Sequence, residues 1–317
     1  MPKVDRGELS QAHEQLCQPP FSEYDDATYS LPPGACDTHA HVVSSSASYS
    51  FVNERSYTPP PAPEQEYIRM LGGTGMSRGV LVQISVYGTD NRYMLSVLRK
   101  HPVRLRGVAV VDSNIDDAEL ATMHKQGVRG VRLNVLFGGG IGFDALETIA
   151  AKVAQFGWHL QLLLDARDLP ELLPRLTRLP VPVVIDHMGH MPAELGTEHP
   201  GFQALLTLIR EHQTWVKLSG AYRIDGRSPK YPAAALFVES LMAAAPERML
   251  YGSDWPHVAV PYAMPNTGHL RNLLVEWIED EELRRKVLVD NPALLYGFET
   301  TTKSAAPLTP ILRSGSR

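Results

Sequence analysis

Cysteine, long apolar runs and dense basic clusters are scarce in this sequence, and each absence excludes a class of protein. Two cysteines among 317 residues, Cys17 and Cys36, are too few for a disulfide framework or a cysteine-rich zinc site. No run of about 20 apolar residues is present to span a membrane. A net charge of −5 without a basic cluster gives no electrostatic footprint for nucleic acid. Neither a membrane nor a nucleic acid is therefore an expected partner.

The N-terminal stretch MPKVDRGELSQAHEQ also lacks the apolar core of a secretory signal, because its residues are polar and mixed in charge. Hydrophobic residues make up 44% of the chain and charged residues 21%, which are the fractions of an ordinary globular protein. These features predict a cytoplasmic, single-domain protein, and they are compatible with a homo-oligomer.

What the sequence does contain is eight short apolar runs, rich in β-branched residues and separated by stretches with helical spacing. They span residues 35–43, 79–85, 105–112, 128–135, 159–165, 182–189, 214–220 and 248–255. Near-continuous apolar runs are typical of parallel strands that are buried on both faces. Strand and helix alternating eight times predict an α/β fold, a single-domain (β/α)8 TIM barrel. The rival fold, a doubly wound open sheet, needs a glycine-rich turn after its first strand, and DTHAHVVSSS is not one.

The flanks of this repeating pattern differ from it, and they set the predicted domain boundaries. Residues 1–33 contain no clear element and are predicted to form an N-terminal extension. Residues 34–299 are predicted to form the barrel, and residues 300–317, which are poor in packing residues, a disordered tail. Inside the barrel, residues 143–157 place apolar residues on one stripe and end in Gly157, which predicts a helix.

Polar side chains recur where the predicted strands end, which is the edge at which (β/α)8 barrels carry their chemistry. They are Gln83, Ser85, Arg132, Asn134, Asp165, His187, Arg223, Asp254 and His257, together with His39 and His41. His39 and His41 point to the same side of their strand, because side chains alternate along a strand with a period of two. Packing does not explain this recurrence, so the sequence predicts that these groups converge on one pocket.

Single residues in this set also have structural interpretations. A lone histidine at a strand end, such as His257, commonly supports its neighbours. Asp254 has the alternative of a structural ion pair, and Arg132 that of a buried partner for Asp165. Arg223 has the alternative of simple solvent exposure, because it follows a strand in a loop.

Five motifs in a fixed order resemble the amidohydrolase superfamily. They are DTHAHV, VIDHMG, VKLSGAYR, YGSDWPH and DNPALLYGF, and the resemblance covers about residues 34–299. More narrowly, they are similar to the branch that contains 2-pyrone-4,6-dicarboxylate lactonase, sugar-acid lactonases and galactarolactone isomerase. The resemblance implies a (β/α)8 barrel and hydrolysis of a lactone that carries carboxylate groups, in the catabolism of aromatic compounds or sugar acids.

The resemblance also implies catalytic roles. Asp254 would be the general base that takes a proton from the attacking water, a role that suits a modestly raised pKa. His39, His41 and His187 would polarise the lactone carbonyl and stabilise the oxyanion.

The same resemblance implies substrate-binding residues. Arg132 and Arg223 would hold substrate carboxylates through two-pronged hydrogen bonds. Other candidate contacts to the substrate are Tyr57, Ser85, Asn134 and His257. The chain departs from the lactonase pattern at two places, with Gly138 where a second arginine is expected and Leu163 or Leu164 where an aromatic is expected. These departures favour a monocarboxylated or hydroxylated lactone over the pyrone dicarboxylate.

The histidine and aspartate candidates raise the question of a metal. Zinc or manganese would have His39, His41, His187 and Asp254 as ligands. Metal-binding members of the superfamily add a ligand at the end of strand five, but that strand ends in LLLDAR, without histidine or lysine at its tip. The sequence therefore favours no metal, with the histidines in contact with the substrate.

Three other functions stay open at this point. An isomerase on the same scaffold would move a lactone between ring sizes. A metal-dependent decarboxylase or hydrolase would act on an aromatic acid. A barrel that only binds a small acid would never form product.

Overall fold

Eight parallel strands follow one another around a single sheet in the computed structural model, which describes residues 16–226 and 228–299. The strands are β1 Cys36–Ala40, β2 Arg78–Val82, β3 Leu105–Ala109, β4 Val128–Asn134, β5 His159–Leu163, β6 Val183–Ile185, β7 Thr214–Leu218 and β8 Met249–Tyr251. Each strand pairs with the next in parallel. The predicted (β/α)8 barrel is confirmed.

Helices lie between the strands and cover the outside of the sheet. They are α1 Glu64–Thr74, α2 Arg92–Lys100, α3 Asp117–Lys125, α4 Leu146–Ala154, α5 Leu169–Leu176, α6 Pro200–Glu211, α7 Ala221–Ile224, α8 Pro232–Ala244, α9 Thr267–Trp277, α10 Glu281–Arg285 and α11 Asn291–Tyr296. The helix predicted at residues 143–157 is α4, preceded by a 3-10 turn, and it buries Ile149 and Val153 as its spacing indicates. None of the helices in the described ranges is both long and apolar enough to cross a membrane.

The barrel closes where the first and last strands meet, and this closure brings two site residues together. The backbone N–H of His41 donates to the Trp255 carbonyl at 2.8 Å, and that of Asp254 donates to the His39 carbonyl at 2.8 Å. Both bonds lie beyond the end of β8, at the edge where polar residues replace the apolar run. The ends of strands one and eight are thus fixed to each other by backbone, independently of any side chain.

Residues that precede the barrel run along its outer surface. The Asp25 N–H donates to Asn266 Oδ1 at 3.0 Å, and Arg271 Nη2 donates to the Asp25 carbonyl at 2.7 Å. Leu16 bridges to Thr58 near the mouth of the barrel. The domain boundaries stay a prediction, and residues 1–15 and 300–317 lie outside the described ranges.

One helix packs on the barrel through a glycine, which gives a test of the packing. A Cβ at Gly201 in α6 would lie 2.3 Å from the Ala166 carbonyl oxygen, which is backbone and cannot rotate away. We expect Gly201→Ala to lower the free energy of unfolding by about 1–3 kcal/mol, measured by urea denaturation. Gly72→Ala is the control, because its Cβ would meet nothing within 4 Å, and it should raise stability by about 0.5–1 kcal/mol. Equal midpoints for the two variants would contradict this packing.

Candidate active site

Two histidines and one aspartate from three strand ends face one another inside the barrel mouth. Asp254 Oδ1 lies 3.8 Å from His39 Nε2 and 3.9 Å from His187 Nε2. The ring centroid of His39 is 4.7 Å from that of His187 and 5.1 Å from that of His41. All four residues are at most 3% exposed. The structure therefore brings together the four residues predicted to be catalytic.

The two oxygens of Asp254 have different surroundings. Oδ2 accepts hydrogen bonds from Arg223 Nε and from the Tyr222 hydroxyl, each at 2.6 Å. Oδ1 is buried and has no hydrogen-bond partner among the residues that the structure describes. One oxygen thus anchors the carboxylate, and the other is free to bind a substrate, a water or a metal ion.

The pKa of Asp254 is shifted by its surroundings. Burial raises it, but the Arg223 guanidinium and the neighbouring histidines lower it more, so the pKa lies well below the usual range. A general base is suited by a modestly raised pKa, whereas the surroundings of Asp254 act in the opposite direction. The sequence could not show that Arg223, in the short helix α7 after β7, would bind this carboxylate.

The backbone at Asp254 is also unusual, since its φ is 63°, in the left-handed region. Aspartate and asparagine enter this region more readily than most residues with a side chain. The conformation is held on both sides, because the Asp254 N–H donates to the His39 carbonyl and its own carbonyl accepts from the His257 N–H at 2.8 Å. The loop after β8 is therefore built to aim this carboxylate.

The ring nitrogens that face away from the pocket decide what the histidines can do. His41 Nδ1 lies 2.8 Å from the Val82 carbonyl, which can only accept, so Nδ1 carries the proton. Burial lowers the pKa of His41 well below its usual value, so the ring is neutral and its Nε2 presents a lone pair. His187 Nδ1 lies 2.9 Å from the Ser219 hydroxyl, which can donate, and this leaves Nε2 able to carry the proton.

His39 has two neighbours of opposite character at Nδ1. Asp186 Oδ1, which accepts, lies at 3.2 Å, and Lys217 Nζ, which donates when charged, lies at 3.3 Å. Only the lysine contact has hydrogen-bond geometry, and Asp186 Oδ1 is without a hydrogen-bond partner within the described ranges. When Nδ1 accepts from Lys217, the ring proton is on Nε2, toward Asp254; when Nδ1 donates to Asp186, Nε2 presents a lone pair.

Below these residues lies a charged network that the sequence analysis missed. Lys217 Nζ donates to Gln161 Oε1 at 2.7 Å, and Gln161 Nε2 donates to Asp186 Oδ2 at 3.0 Å. Arg132 Nε donates to the same oxygen at 3.2 Å. Burial lowers the pKa of Lys217 to about 8, while Asp186 is held well below its usual pKa because His39 and Lys217 outweigh its burial. A lysine inside the apolar run TWVKLSG was the signal available for this network.

The partner of Arg132 differs from the structural alternative considered from sequence. That partner is Asp186, whereas Asp165 pairs with Arg167, with Nη2 to Oδ2 at 2.6 Å. Arg132 uses only Nε in this contact, and neither Nη donates a hydrogen bond within the part of the chain that the structure describes. Arg223 is also buried, which excludes simple solvent exposure, and its Nη2 donates to the Val258 carbonyl at 2.9 Å.

The other candidate substrate contacts divide into two groups. Tyr57 and Ser85 line the catalytic pocket together with Arg132 and Leu163. Asn134 instead shapes the loop after β4, since its Oδ1 accepts from the N–H groups of residues 136 and 137. His257 uses Nε2 for the Thr267 hydroxyl at 2.8 Å, and its Nδ1 lies 3.3 Å from the Tyr222 hydroxyl. Their contacts to substrate stay predictions.

The structure shows the surroundings of the two departures from the lactonase pattern, at Gly138 and at Leu163 or Leu164. Gly138 donates its N–H to Ser56 Oγ at 2.6 Å, and a Cβ there would lie 2.1 Å from the Glu54 carbonyl oxygen. An arginine at this position would therefore need a different loop. Of the two leucines, Leu163 lines the catalytic pocket and Leu164 is buried in the core.

The donor set fits a divalent metal ion. Among the described residues, one atom each of His39, His187 and Asp254 lie within 4.8 Å of one another, in a group that does not include His41. Both His39 Nε2 and Asp254 Oδ1 are buried atoms without a partner in this part of the chain. A metal bound there would polarise a carbonyl and lower the pKa of a water molecule. The prediction that His41 would join such a site is not supported by this grouping.

Comparisons with known proteins agree on one family. A model of the amidohydrolase family matches residues 36–298. A 2-pyrone-4,6-dicarboxylate hydrolase of Comamonas testosteroni is 37% identical over 280 residues, covering 84% of this chain and 92% of that protein. A 4-sulfomuconolactone hydrolase of Hydrogenophaga intermedia is 34% identical over 286 residues, covering 89% and 94%. The apo structure of an Agrobacterium tumefaciens protein, 27% identical, has a TM-score of 0.80 and covers 86% of this chain and 99% of that one.

Proposed function

The chain belongs to the amidohydrolase family, and on this basis we propose that it hydrolyses a small carboxylated or polyhydroxy lactone. Two relatives are named as hydrolases of such molecules. The observation that carries the proposal is the arrangement at Asp254. Its Oδ2 is anchored by Arg223 and Tyr222, while its Oδ1 is buried without a partner between two histidines.

The proposed reaction begins with a water molecule beside Asp254 Oδ1. The catalytic pocket has a volume of about 10 Å³, which is about the space that one water needs. Asp254 takes a proton from this water as its oxygen attacks the lactone carbonyl carbon, giving a tetrahedral oxyanion. Collapse of that intermediate breaks the ring C–O bond, and the proton returns from Asp254 to the leaving oxygen. The product is an open-chain hydroxy acid or its keto form.

His39 and His187 would stabilise the oxyanion by donating from Nε2. Lys217 faces Nδ1 of His39 and Ser219 faces Nδ1 of His187, and each can donate to that nitrogen. Both rings can therefore keep a proton on Nε2 while neutral. For His41 we propose a different role, because its Nε2 is an acceptor and suits a substrate hydroxyl or the attacking water.

The two arginines would have different tasks. Arg132, with both Nη atoms available at the pocket, would bind a substrate carboxylate in the bidentate manner of a guanidinium. Arg223 already donates Nε to Asp254 and Nη2 to a backbone carbonyl, so it would mainly hold the base. Tyr57 and Ser85 would contact the lactone from the side of the pocket.

A panel of carboxylated and sugar-acid lactones, assayed for acid release with and without a strong chelator, tests the proposal. We expect ring opening that survives the chelator, because Arg132, Arg223 and the histidines supply the positive charge and the donors that the reaction needs. Activity that collapses and returns with zinc or manganese would instead make His39, His187 and Asp254 ligands.

NMR of the products separates this function from the alternatives. An open-chain hydroxy acid supports hydrolysis. A lactone of different ring size would identify an isomerase, and loss of carbon dioxide from an aromatic acid would identify a decarboxylase. Either result, with no lactone opened, would contradict the proposed function.

A further inference from the structure

A second cavity adjoins the catalytic pocket and is much larger. It has a volume of about 530 Å³ and shares Tyr57, Phe137 and Ala259 with the pocket that contains Asp254. The catalytic pocket has room for about one water molecule, so most of a bound lactone must extend into this second cavity, which we call the vestibule.

The vestibule contrasts with the pocket in charge. Arg132, Arg223 and Asp254 line the pocket, but no aspartate, glutamate, lysine or arginine lines the vestibule among the described residues. Its one histidine, His257, has both ring nitrogens next to hydroxyl groups, with Nε2 2.8 Å from the Thr267 hydroxyl and Nδ1 3.3 Å from the Tyr222 hydroxyl. An anionic group in the vestibule would therefore lose water without gaining a counter-charge, which is costly.

The walls of the vestibule are uncharged, and they combine polar groups such as Gln18 and Ser56 with apolar side chains. Leu16 and Tyr262 form part of the rim and are 72% and 57% exposed. Leu136, Phe137 and Val260 extend the apolar surface inward. Exposed apolar groups around a cavity that continues into a catalytic pocket are typical of a ligand-binding site.

The loop at Gly138, next to the vestibule residues Leu136 and Phe137, has no space for a charged side chain at that position. Its N–H is bound to Ser56 Oγ, and its Cα faces the Glu54 carbonyl too closely for any side chain. The second arginine of the lactonase pattern thus has no replacement at this position.

We propose that the substrate carries one anionic group, bound at Arg132, and an uncharged substituent that occupies the vestibule. This inference rests on the proposed lactone hydrolysis and narrows its substrate class. It disfavours lactones with two anionic groups.

Three kinds of probe test the inference through kcat/KM for ring opening. They are 2-pyrone-4,6-dicarboxylate, the 2-pyrones with one carboxylate at C4 or C6, and the same monocarboxylates with a phenyl group at the other position. We expect a phenyl monocarboxylate to be preferred over its unsubstituted parent by about 10- to 100-fold, and the dicarboxylate to be the poorest.

A charge placed in the vestibule should change this order. Val260→Arg should lower the preference for the phenyl probe and improve the dicarboxylate, each by about 10-fold. Leu16→Arg, at an exposed rim position, should act in the same direction and keeps the test valid if Val260→Arg does not fold. Val103→Arg is the matched control, because Val103 is 78% exposed and does not line the vestibule, and it should change nothing.

The outcomes separate this inference from the proposed function. Preference for the phenyl monocarboxylate, reversed by an arginine in the vestibule, supports the inference. Turnover of the dicarboxylate at or above the rate of the phenyl probes overturns it while the lactonase function stands. Absence of ring opening with every probe overturns the inference, and the proposed function falls as well only if the panel of carboxylated and sugar-acid lactones is also left unopened.

Discussion

Asp254→Asn should lower kcat for lactone ring opening by about 100- to 10,000-fold, because the amide cannot accept the proton of the attacking water. The amide keeps the size of the carboxylate and an oxygen that Arg223 and Tyr222 can reach. KM should change much less than kcat, since the residue acts on the water rather than on the substrate. Steady-state kinetics with the best substrate of the panel measures both.

Asparagine is also the substitution that the backbone tolerates best, since residue 254 has a φ of 63° and asparagine enters that region readily. Asp165→Asn is the matched control. Asp165 follows β5 at the same edge of the barrel, but its carboxylate pairs with Arg167 and caps a 3-10 turn. Its kcat should stay within about twofold of the parent. A kcat for Asp254→Asn equal to that of the control would remove Asp254 from the reaction.

The fold could be predicted because the strands of a parallel barrel are buried on both faces. Each apolar run, such as residues 105–112 around β3, overlaps a strand of the structure. The runs extend past the strands at their C-terminal ends, as at 248–255, where β8 ends at Tyr251. Past Tyr251, Asp254 and Trp255 are held by backbone hydrogen bonds to His39 and His41 at the end of β1 rather than by a continuous strand ladder.

The site could be predicted only as far as strand ends indicate it. Strand-end position and period-two spacing identified His39, His41 and Asp254, which the structure brings together. Contacts across the interior of the barrel were not predictable in the same way. Lys217 meets Gln161 and His39 because strands one, five and seven face one another at one level, and this depends on the stagger of the whole sheet.

Two electrostatic features of the site that the sequence did not predict have the same origin. The pKa of Asp254 and the partner of Arg132 both depend on a charge from a distant segment, Arg223 in one case and Asp186 in the other. Sequence spacing specifies the direction of a side chain on its own strand, but it does not specify which neighbour reaches it. Electrostatic details are therefore the part of the site that requires coordinates.

The charged network under the pocket has a consequence for substrate binding. Asp186 binds Arg132 through Nε alone, and the same carboxylate accepts from Gln161. This contact holds the guanidinium in place without using its Nη atoms. Because its guanidinium is already held in place, Arg132 loses little side-chain entropy when a carboxylate binds. It should therefore contribute strongly to substrate affinity.

Arg132→Met should therefore lower kcat/KM for carboxylated lactones by about 100- to 1000-fold, since two charge-assisted hydrogen bonds are lost. The methyl esters of the same lactones should lose less than about fivefold, because they present no anion to the guanidinium. The measurement is the ratio of kcat/KM for acid and ester in parent and variant. Far-ultraviolet circular dichroism checks that the variant folds.

Arg132→Lys distinguishes the geometry of the guanidinium from its charge. An ammonium keeps the charge but cannot bind both carboxylate oxygens while also reaching Asp186, so we expect a loss between those of the parent and Arg132→Met. Equal losses of kcat/KM for acid and ester in both variants would contradict carboxylate binding by Arg132. They would show that Arg132 acts through Asp186 on His39 and so on the reaction itself. Disturbing the charged network below the pocket would slow the opening of every lactone alike.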